Sequence, residues 1–255
     1  MMCTFSLTNP ICSEPMTRFF VTPEEMAADS IVLQGANANH AKVLRLKAGE
    51  QVLLCDAMGN ECVCTVEADA VTLSVTQRRR SETEPAVKAS VYMAFPKADK
   101  LEHVIQKATE LGAYEIVVFP SARCVSRPDE KSLGKKLERW QKIAASAAEQ
   151  SGRGMIPGIR VLKSYADALK EIARTDMPIL FYENEQATTL RMALQSGQYT
   201  SVGLMSGPEG GLEEKEVEQA RQAGLRICTL GKRILRCETA PLCALSAVMY
   251  ASGEF

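Results

Sequence analysis

Two stretches decide the fold, SGPEGGLEEKEV from Ser206 to Val217 and LGKRILRCETAPLCAL from Leu230 to Leu245. Each leaves an apolar strand-like run, crosses a loop, and enters a helix-like run. One loop is rich in glycine and the other carries Arg233, Arg236 and Glu238. Loops that follow strands in this way are where open α/β sheets bind ligands, so the site is expected in the C-terminal third.

Working outward from there, the chain after Pro85 alternates in period. SVYMAF at Ser90 reads as a buried strand, and LEHVIQKATELG places Leu101, Val104, Ile105, Ala108 and Leu111 at helical spacing, with Gly112 as the cap. EIVVF at Glu115, PILFYE at Pro178, SVGLMS at Ser201 and LRICTL at Leu225 read as further strands. KKLERWQKIAASAAEQSG, EEKEVEQARQAG and APLCALSAVMYAS read as helices. Alternating elements predict an α/β domain with a largely parallel sheet covered on both faces. Periodicity alone suggests a Rossmann-like fold.

Before that domain the grammar differs. Short runs at Ile31, Gln51, Glu61 and Ala70, punctuated by Gly35, Gly49 and the Met58-Gly59-Asn60 turn, predict a small β-barrel or sandwich. QRRRSETE from Gln77 to Glu84 lacks large apolar residues and reads as a linker. The predicted domains are residues 18–80 and 85–255.

Composition narrows the classes. A chain of 255 residues with 46% apolar and 24% charged content fits one or two globular domains. A net charge of -1 gives no global attraction to nucleic acid, so an RNA partner must be held by local basic clusters. Nine cysteines, an odd number, without a basic and apolar leader in residues 1–17, predict reduced thiols in a cytoplasm. Cys62 and Cys64 share one strand face and, with no second pair at zinc-ligand spacing, read as packing thiols. No metal is expected, and no apolar run approaches the ~20 residues of a membrane span.

The Rossmann reading fails on its own motif. PKADK follows SVYMAF where G-x-G-x-x-G should stand, and GxxxxGK[ST] is absent. The residues instead resemble the SPOUT methyltransferases, and within them the RsmE-type 16S rRNA (uracil-1498-N3)-methyltransferases. The resemblance rests on RFF at Arg18, HAKVLR from His40 to Arg45, QKATELG at Gln106, ARCV at Ala122, RW at Arg139, AAEQSGR ending at Arg153, GPEGGL at Gly207 and LGKRILRCET at Leu230. The chain departs from the family at Cys237, often Thr, and at Pro241, usually Ala. Residues before Met16 lie outside the match.

The resemblance implies a PUA-like barrel that binds RNA, joined to a SPOUT domain with a C-terminal trefoil knot. It also implies a homodimer and S-adenosylmethionine held by the knot loops. Its cofactor residues would be Leu204, Gly207, Glu209, Gly210, Gly211, Leu230, Ile234, Leu235, Thr239 and Ala240. The implied reaction is methylation of N3 of uridine 1498 in 16S rRNA of the small ribosomal subunit, in the cytoplasm. Neutral uracil carries a proton on N3, so catalysis must remove it or stabilise the anion. Glu238 could accept the proton and Arg236 could stabilise charge on O2 or O4; a carboxylate at a helix N-terminus would equally explain Glu238. Cys237 as a nucleophile toward C6 is disfavoured, because the family's usual Thr cannot act so.

RNA contacts are expected from Arg18, His40, Arg45, Lys97, Arg123 and Arg153, and less from Lys42, Lys47, Lys107 and Arg127. Arg78, Arg79 and Arg80 could touch phosphates. Alternatives left open are another RNA-modifying enzyme of the same fold, a non-catalytic RNA-binding assembly factor, and a nicotinamide or flavin enzyme.

Overall fold

The computed structural model describes residues 16–97, 99–125 and 130–255. Arg127 lies outside them. The chain divides into two compact units, the first ending at Glu82 and the second running from Thr83 to Phe255.

The first unit contains β1 (Thr17–Phe20), α1 (Pro23–Met26), β2 (Ser30–Val32), α2 (Gly35–Leu44), β3 (Gln51–Cys55), β4 (Asn60–Val66) and β5 (Thr72–Arg80). They form a five-stranded sheet in the order β1-β3-β4-β5-β2, in which only β1 and β3 run parallel. Alternation along β4 turns Cys62, Cys64 and Val66 into a core with Phe19, Ile31, Val52, Leu54 and Leu73. The two cysteines are thus packing thiols. Gly59, at a φ of 89°, turns β3 into β4.

Two expectations need correction here. The segment expected to be a linker from Gln77 is strand as far as Arg80, because β5 continues its ladder with β4 to the pair Asn60 and Arg80. Arg78 donates to the carbonyls of Met26, Ala27 and Ala28, and Arg79 bonds Glu61 at 2.7 Å, so both guanidinium groups serve the unit itself. The second correction is α2, which lies where only strands and a glycine break were expected. It buries Ala41 alone and so carries no apolar stripe to be read.

The second unit contains β6 (Lys88–Ala94), α3 (Lys100–Glu110), β7 (Glu115–Phe119), α4 (Glu130–Ser151), β8 (Gly158–Val161), α5 (Tyr165–Ile172), β9 (Met177–Phe181), α6 (Leu190–Leu194), β10 (Ser201–Ser206), α7 (Glu214–Gln222), β11 (Arg226–Cys228) and α8 (Thr239–Ala251). Its six strands are all parallel, in the order β11-β9-β10-β6-β7-β8. Successive residues of β6 feed opposite cores. Val91 and Met93 pack with Leu101, Val104, Ile105 and Ala108 of α3 and with Ala244, Leu245, Val248 and Met249 of α8. Tyr92 and Ala94 pack with Ala168, Leu169 and Ile172 of α5 and Val217 of α7. A sheet covered on both faces explains why its strands read as continuous apolar runs.

The strand order separates this sheet from the Rossmann arrangement. Counting from β6, the order is 3-2-1-5-4-6, whereas the dinucleotide fold runs 3-2-1-4-5-6. The exchange seats β10 beside β6, with β9 and β11 beyond it. The loops leaving β6, β10, β9 and β11 therefore stand side by side at the carboxyl end.

At the opposite end the segments are fastened. Arg153 is 2% exposed and donates to the carbonyls of Thr109 and Ala113 at 3.1 and 2.8 Å and to Glu84 at 2.6 Å. The other Glu84 oxygen accepts from the backbone amides of Gly154 and Met155. Asp176 accepts from the amide and hydroxyl of Thr200 and the amide of Ser201. No helix among the described residues is long and apolar enough to cross a membrane.

Candidate functional site

The strands stop where their apolar runs give way to Gly, Pro and charged residues, and the loops so released frame an open cleft of about 560 Å³. That volume suits a small-molecule ligand. Phe181, Tyr182 and Glu183 contribute from β9 and its loop, Ser206 to Leu212 from the β10 loop, and Thr229 to Cys237 with Ala240 from the β11 loop.

The glycines in the β10 loop are there for space. A Cβ on Gly207 would stand 3.1 Å from the carbonyl carbon of Gly211 and 3.1 Å from the Leu212 side chain. Gly211 has a φ of 69°, and a Cβ there would collide with the Glu183 carboxylate. Gly210 sits against Arg123, whose Nη1 donates to the Gly210 carbonyl at 3.0 Å. Ser206, 3% exposed, lines the cleft, and its Oγ has no hydrogen-bond partner among the described residues. A buried hydroxyl without a partner is costly unless a ligand supplies one.

Most expected cofactor residues converge here. Gly207, Glu209, Gly210, Gly211, Leu230, Ile234, Leu235 and Ala240 all line the cleft. Two do not. Leu204 is fully buried inside β10, in the core shared with α3 and α8, two residues short of the strand end where Ser206 meets the cleft. Thr239 opens α8, exposed and outside the cleft wall.

Of the expected catalytic pair, Arg236 is exposed and lines the cleft. Glu238 holds the N-cap position of α8 without a side-chain cap bond, is not itself a lining residue of the cleft, and joins a cluster with Glu209 and Cys237, which are. Lys100 Nζ lies 3.1 Å from Glu238 Oε2 and 3.1 Å from Glu209 Oε1, and the Cys237 thiol donates to Glu238 Oε2 at 3.1 Å. Burial alone would raise the Glu238 carboxyl, but its own backbone amide, the Cys237 thiol and Lys100 outweigh it and hold it below the usual carboxylate range. The bonds to Glu209 and then Glu238 push the Lys100 ammonium up to about 12. Burial, the bond to Glu238 and the charge of Glu209 push the Cys237 thiol up to about 12, so it is protonated and no nucleophile.

Lys100 escaped the sequence reading. Its signal was the position of PKADK directly after a buried strand, where the dinucleotide fold carries its phosphate loop.

The expected RNA contacts divide by burial. Arg45, Lys97 and Arg123 are exposed, and His40 is half-buried with its ring edge-on to Phe19. Arg18 and Arg153 are buried instead. Arg18 is 9% exposed and bonds Glu61 at 3.1 Å, and Arg153 is the buried clamp described above, bonded through both Nη atoms, with its Nε lacking a partner among the described residues. A buried guanidinium already spent on internal acceptors has no face to offer a phosphate.

Comparison with known proteins agrees with this geometry. Residues 83–249 match the family described as RNA methyltransferase domain, and residues 33–75 that described as RNA methyltransferase PUA domain. Ribosomal RNA small subunit methyltransferase E of Bacillus subtilis is 36% identical over 249 residues, covering 92% of this chain and 96% of its own. Its counterpart from Mesomycoplasma hyopneumoniae is 32% identical, covering 91% and 98%. The crystal structure of ribosomal RNA small subunit methyltransferase E from Neisseria gonorrhoeae, bound to S-adenosyl methionine, superposes with a TM-score of 0.80 at 30% identity, covering 92% of this chain and 97% of that one. With a PUA-type unit ahead of a parallel α/β sheet whose ligand cleft lies at its carboxyl end, this chain belongs to the ribosomal RNA small subunit methyltransferase E family.

Proposed function

We propose that this protein transfers the methyl group of S-adenosylmethionine to N3 of a single uridine, position 1498, in 16S rRNA of the small ribosomal subunit. The observation that carries the proposal is the glycine-lined cleft with the unpartnered Ser206 hydroxyl at its base and the exposed Arg236 at its rim. The residues present fit the cofactor. Leu230, Ile234 and Leu235 offer apolar surface to an adenine ring, Gly207, Gly210 and Gly211 allow close backbone approach, Ser206 offers a hydroxyl, and Glu183 and Glu209 offer negative charge to a sulfonium. When bound, the cofactor supplies an electrophilic methyl group.

The chain's own task concerns the uracil. Its N3 must lose a proton as the N3–CH3 bond forms and the S–CH3 bond breaks. Glu238, ionised under the influence of Lys100, accepts that proton directly or through water, and Arg236 stabilises the charge that develops on a uracil oxygen. The first unit binds RNA in this reading, with Arg45 and its exposed neighbours Lys42 and Lys47 on the end of α2 and the turn beyond it. Lys97 and Arg123 contribute from the second unit. We extend the proposal to a cytoplasmic homodimer whose C-terminal segment threads a trefoil knot, as the family resemblance implies; the exposed Tyr250 on α8 suits such contact.

The test is transfer of labelled methyl from S-adenosylmethionine to small subunits from a strain lacking the protein, followed by nucleoside analysis. A 3-methyluridine product is expected. Cofactor binding without transfer would instead favour a non-catalytic assembly factor, and a different methylated base would move the reaction within the fold.

A further inference from the structure

Lys100 begins α3 just after the chain leaves β6, yet its ammonium reaches two other loops. Glu209 lies in the β10 loop and Glu238 and Cys237 in the β11 loop, and all three are within reach of Nζ, the thiol at 3.7 Å. Glu209 Oε1 is also held by the backbone amide of Lys97 at 2.9 Å, which ties the same carboxylate to the β6 loop twice.

Global stability does not account for this arrangement. The side chains of Lys100, Glu209 and Glu238 remain 28%, 25% and 25% exposed, and ion pairs so open to water contribute little to folding. Its position is more telling. Glu209 forms part of the cleft wall, and Glu238 lies two residues beyond Arg236 on the opposing loop. Without the ammonium, two carboxylates and a thiol would face one another across the junction of the walls.

We propose that Lys100 is a positioning residue of this site: by bonding Glu209 and Glu238 at once, it clasps the two loops that wall the cleft and presents Glu238 beside Arg236 as a carboxylate. The inference rests on the reading of Glu238 as the group that meets the N3 proton. The charged and titratable groups acting on Glu238 are Lys100 from α3, Cys237 from its own loop and, through Lys100, Glu209 from the β10 loop. Against burial, backbone amides lower both carboxylates first, joined at Glu238 by the Cys237 thiol, and Lys100 is the cation that adds to them at each.

The experiment compares wild type with K100M, K100R and E209Q in the full chain, by three readouts. The first is carboxyl-carbon NMR titration of the free protein, with Glu238 assigned by loss of its signal in E238Q. The second is calorimetric binding of S-adenosylmethionine, and the third is kcat/KM for methyl transfer to small subunits against pH.

In K100M the Glu238 midpoint is expected to rise by about one pH unit, since removal of an opposite charge within hydrogen-bond reach relaxes a carboxylate by at least that much. The acid limb of kcat/KM should rise with it, and cofactor affinity should fall by about ten-fold, the consequence of one loosened loop contact. K100R, which keeps the cation, should restore all three. E209Q severs one arm only, so it should weaken cofactor binding and leave Lys100 on Glu238; it also keeps the inference testable should K100M misfold. An unmoved Glu238 midpoint, or a loss of activity that is equal at every pH and not restored by K100R, would overturn the proposal. Wild-type protein that makes no 3-methyluridine, while Glu238 titration and cofactor binding respond to K100M, would instead overturn the reaction assignment and leave the clasp standing.

Discussion

The two ends of the parallel sheet in the second unit are built from the same chemistry and finished differently. At the amino end, Arg153 and Glu84 close on each other and on four backbone groups, and Asp176 is bonded by Thr200 and Ser201. At the carboxyl end, the Ser206 hydroxyl has no partner among the described residues, the β10-loop glycines let backbone pack where a side chain would collide, and the ion pairs of Lys100 are about a quarter exposed. The difference teaches how to tell framework from site when both carry charge. An unmet buried donor does not by itself tell them apart, since the Nε of Arg153 also has no partner among the described residues; what marks Ser206 as waiting for a ligand is that it lines a cleft.

The largest effect expected from breaking this comparison is at the closed end. R153M would leave the Glu84 carboxylate and two carbonyls without their donor in a buried setting, a change that costs about 3–5 kcal/mol when one member of a buried pair is removed. Urea unfolding should show it as a lower midpoint with an unchanged slope, and the folded protein should still bind cofactor. If R153M unfolds like wild type but fails on RNA, Arg153 belongs to the substrate surface after all.

R236A should behave in the opposite sense. Its side chain is exposed, so the unfolding midpoint should not move, while kcat falls by about 10²–10³-fold, as for removal of one group that stabilises developing charge. Equal rates for the variant and wild type would remove Arg236 from the chemistry.

G211A tests the space in the β10 loop. A left-handed residue with a Cβ costs about 1–2 kcal/mol, and here the added atom also meets Glu183. Cofactor affinity, read by calorimetry, should drop by roughly 5–30-fold, the equivalent of that energy. Unaltered affinity would mean that the loop rearranges freely and is not a preformed cradle.

The same contrast explains what could be read from the sequence. The strands β6, β7, β9 and β10 and the stripe of α3 were legible because burial on both faces writes continuous apolar runs, and a helix packed on one side writes a period. The spacing of Tyr165, Ala168, Leu169 and Ile172 writes the same period for α5, whereas the short edge strand β8 has too few buried residues to leave a pattern. The loops of the site were legible through Gly207, Gly210, Gly211 and Arg236. Their neighbours were not. Strand order depends on crossovers that leave no local mark, so the sequence could not show that the exchange of β9 and β10 brings Lys100 to Glu209 and Glu238. Arg153 and Arg18 looked like surface charges for a related reason. Their partners are distant carboxylates and carbonyls that only the folded chain supplies.

The smallest effect separates the two ends by pH. Asp176 is drawn down to about 2, first by the Thr200 amide, then by the Thr200 hydroxyl and Ser201. Its unfolded value is about 3.9, so the folded state gains from this carboxylate above about pH 4 and loses the gain as pH falls toward 2. D176N should therefore be less stable than wild type at neutral pH, with the two unfolding midpoints converging as acid is added through that window. Its kcat/KM profile should stay in place, because Asp176 lies at the amino end of β9, a strand's length from the cleft. K100M is expected to do the reverse, moving the acid limb of activity while scarcely altering the unfolding midpoint. If D176N also moved the activity profile, the two ends of the sheet would be coupled, and the division between a closed framework and an open site would have to be redrawn.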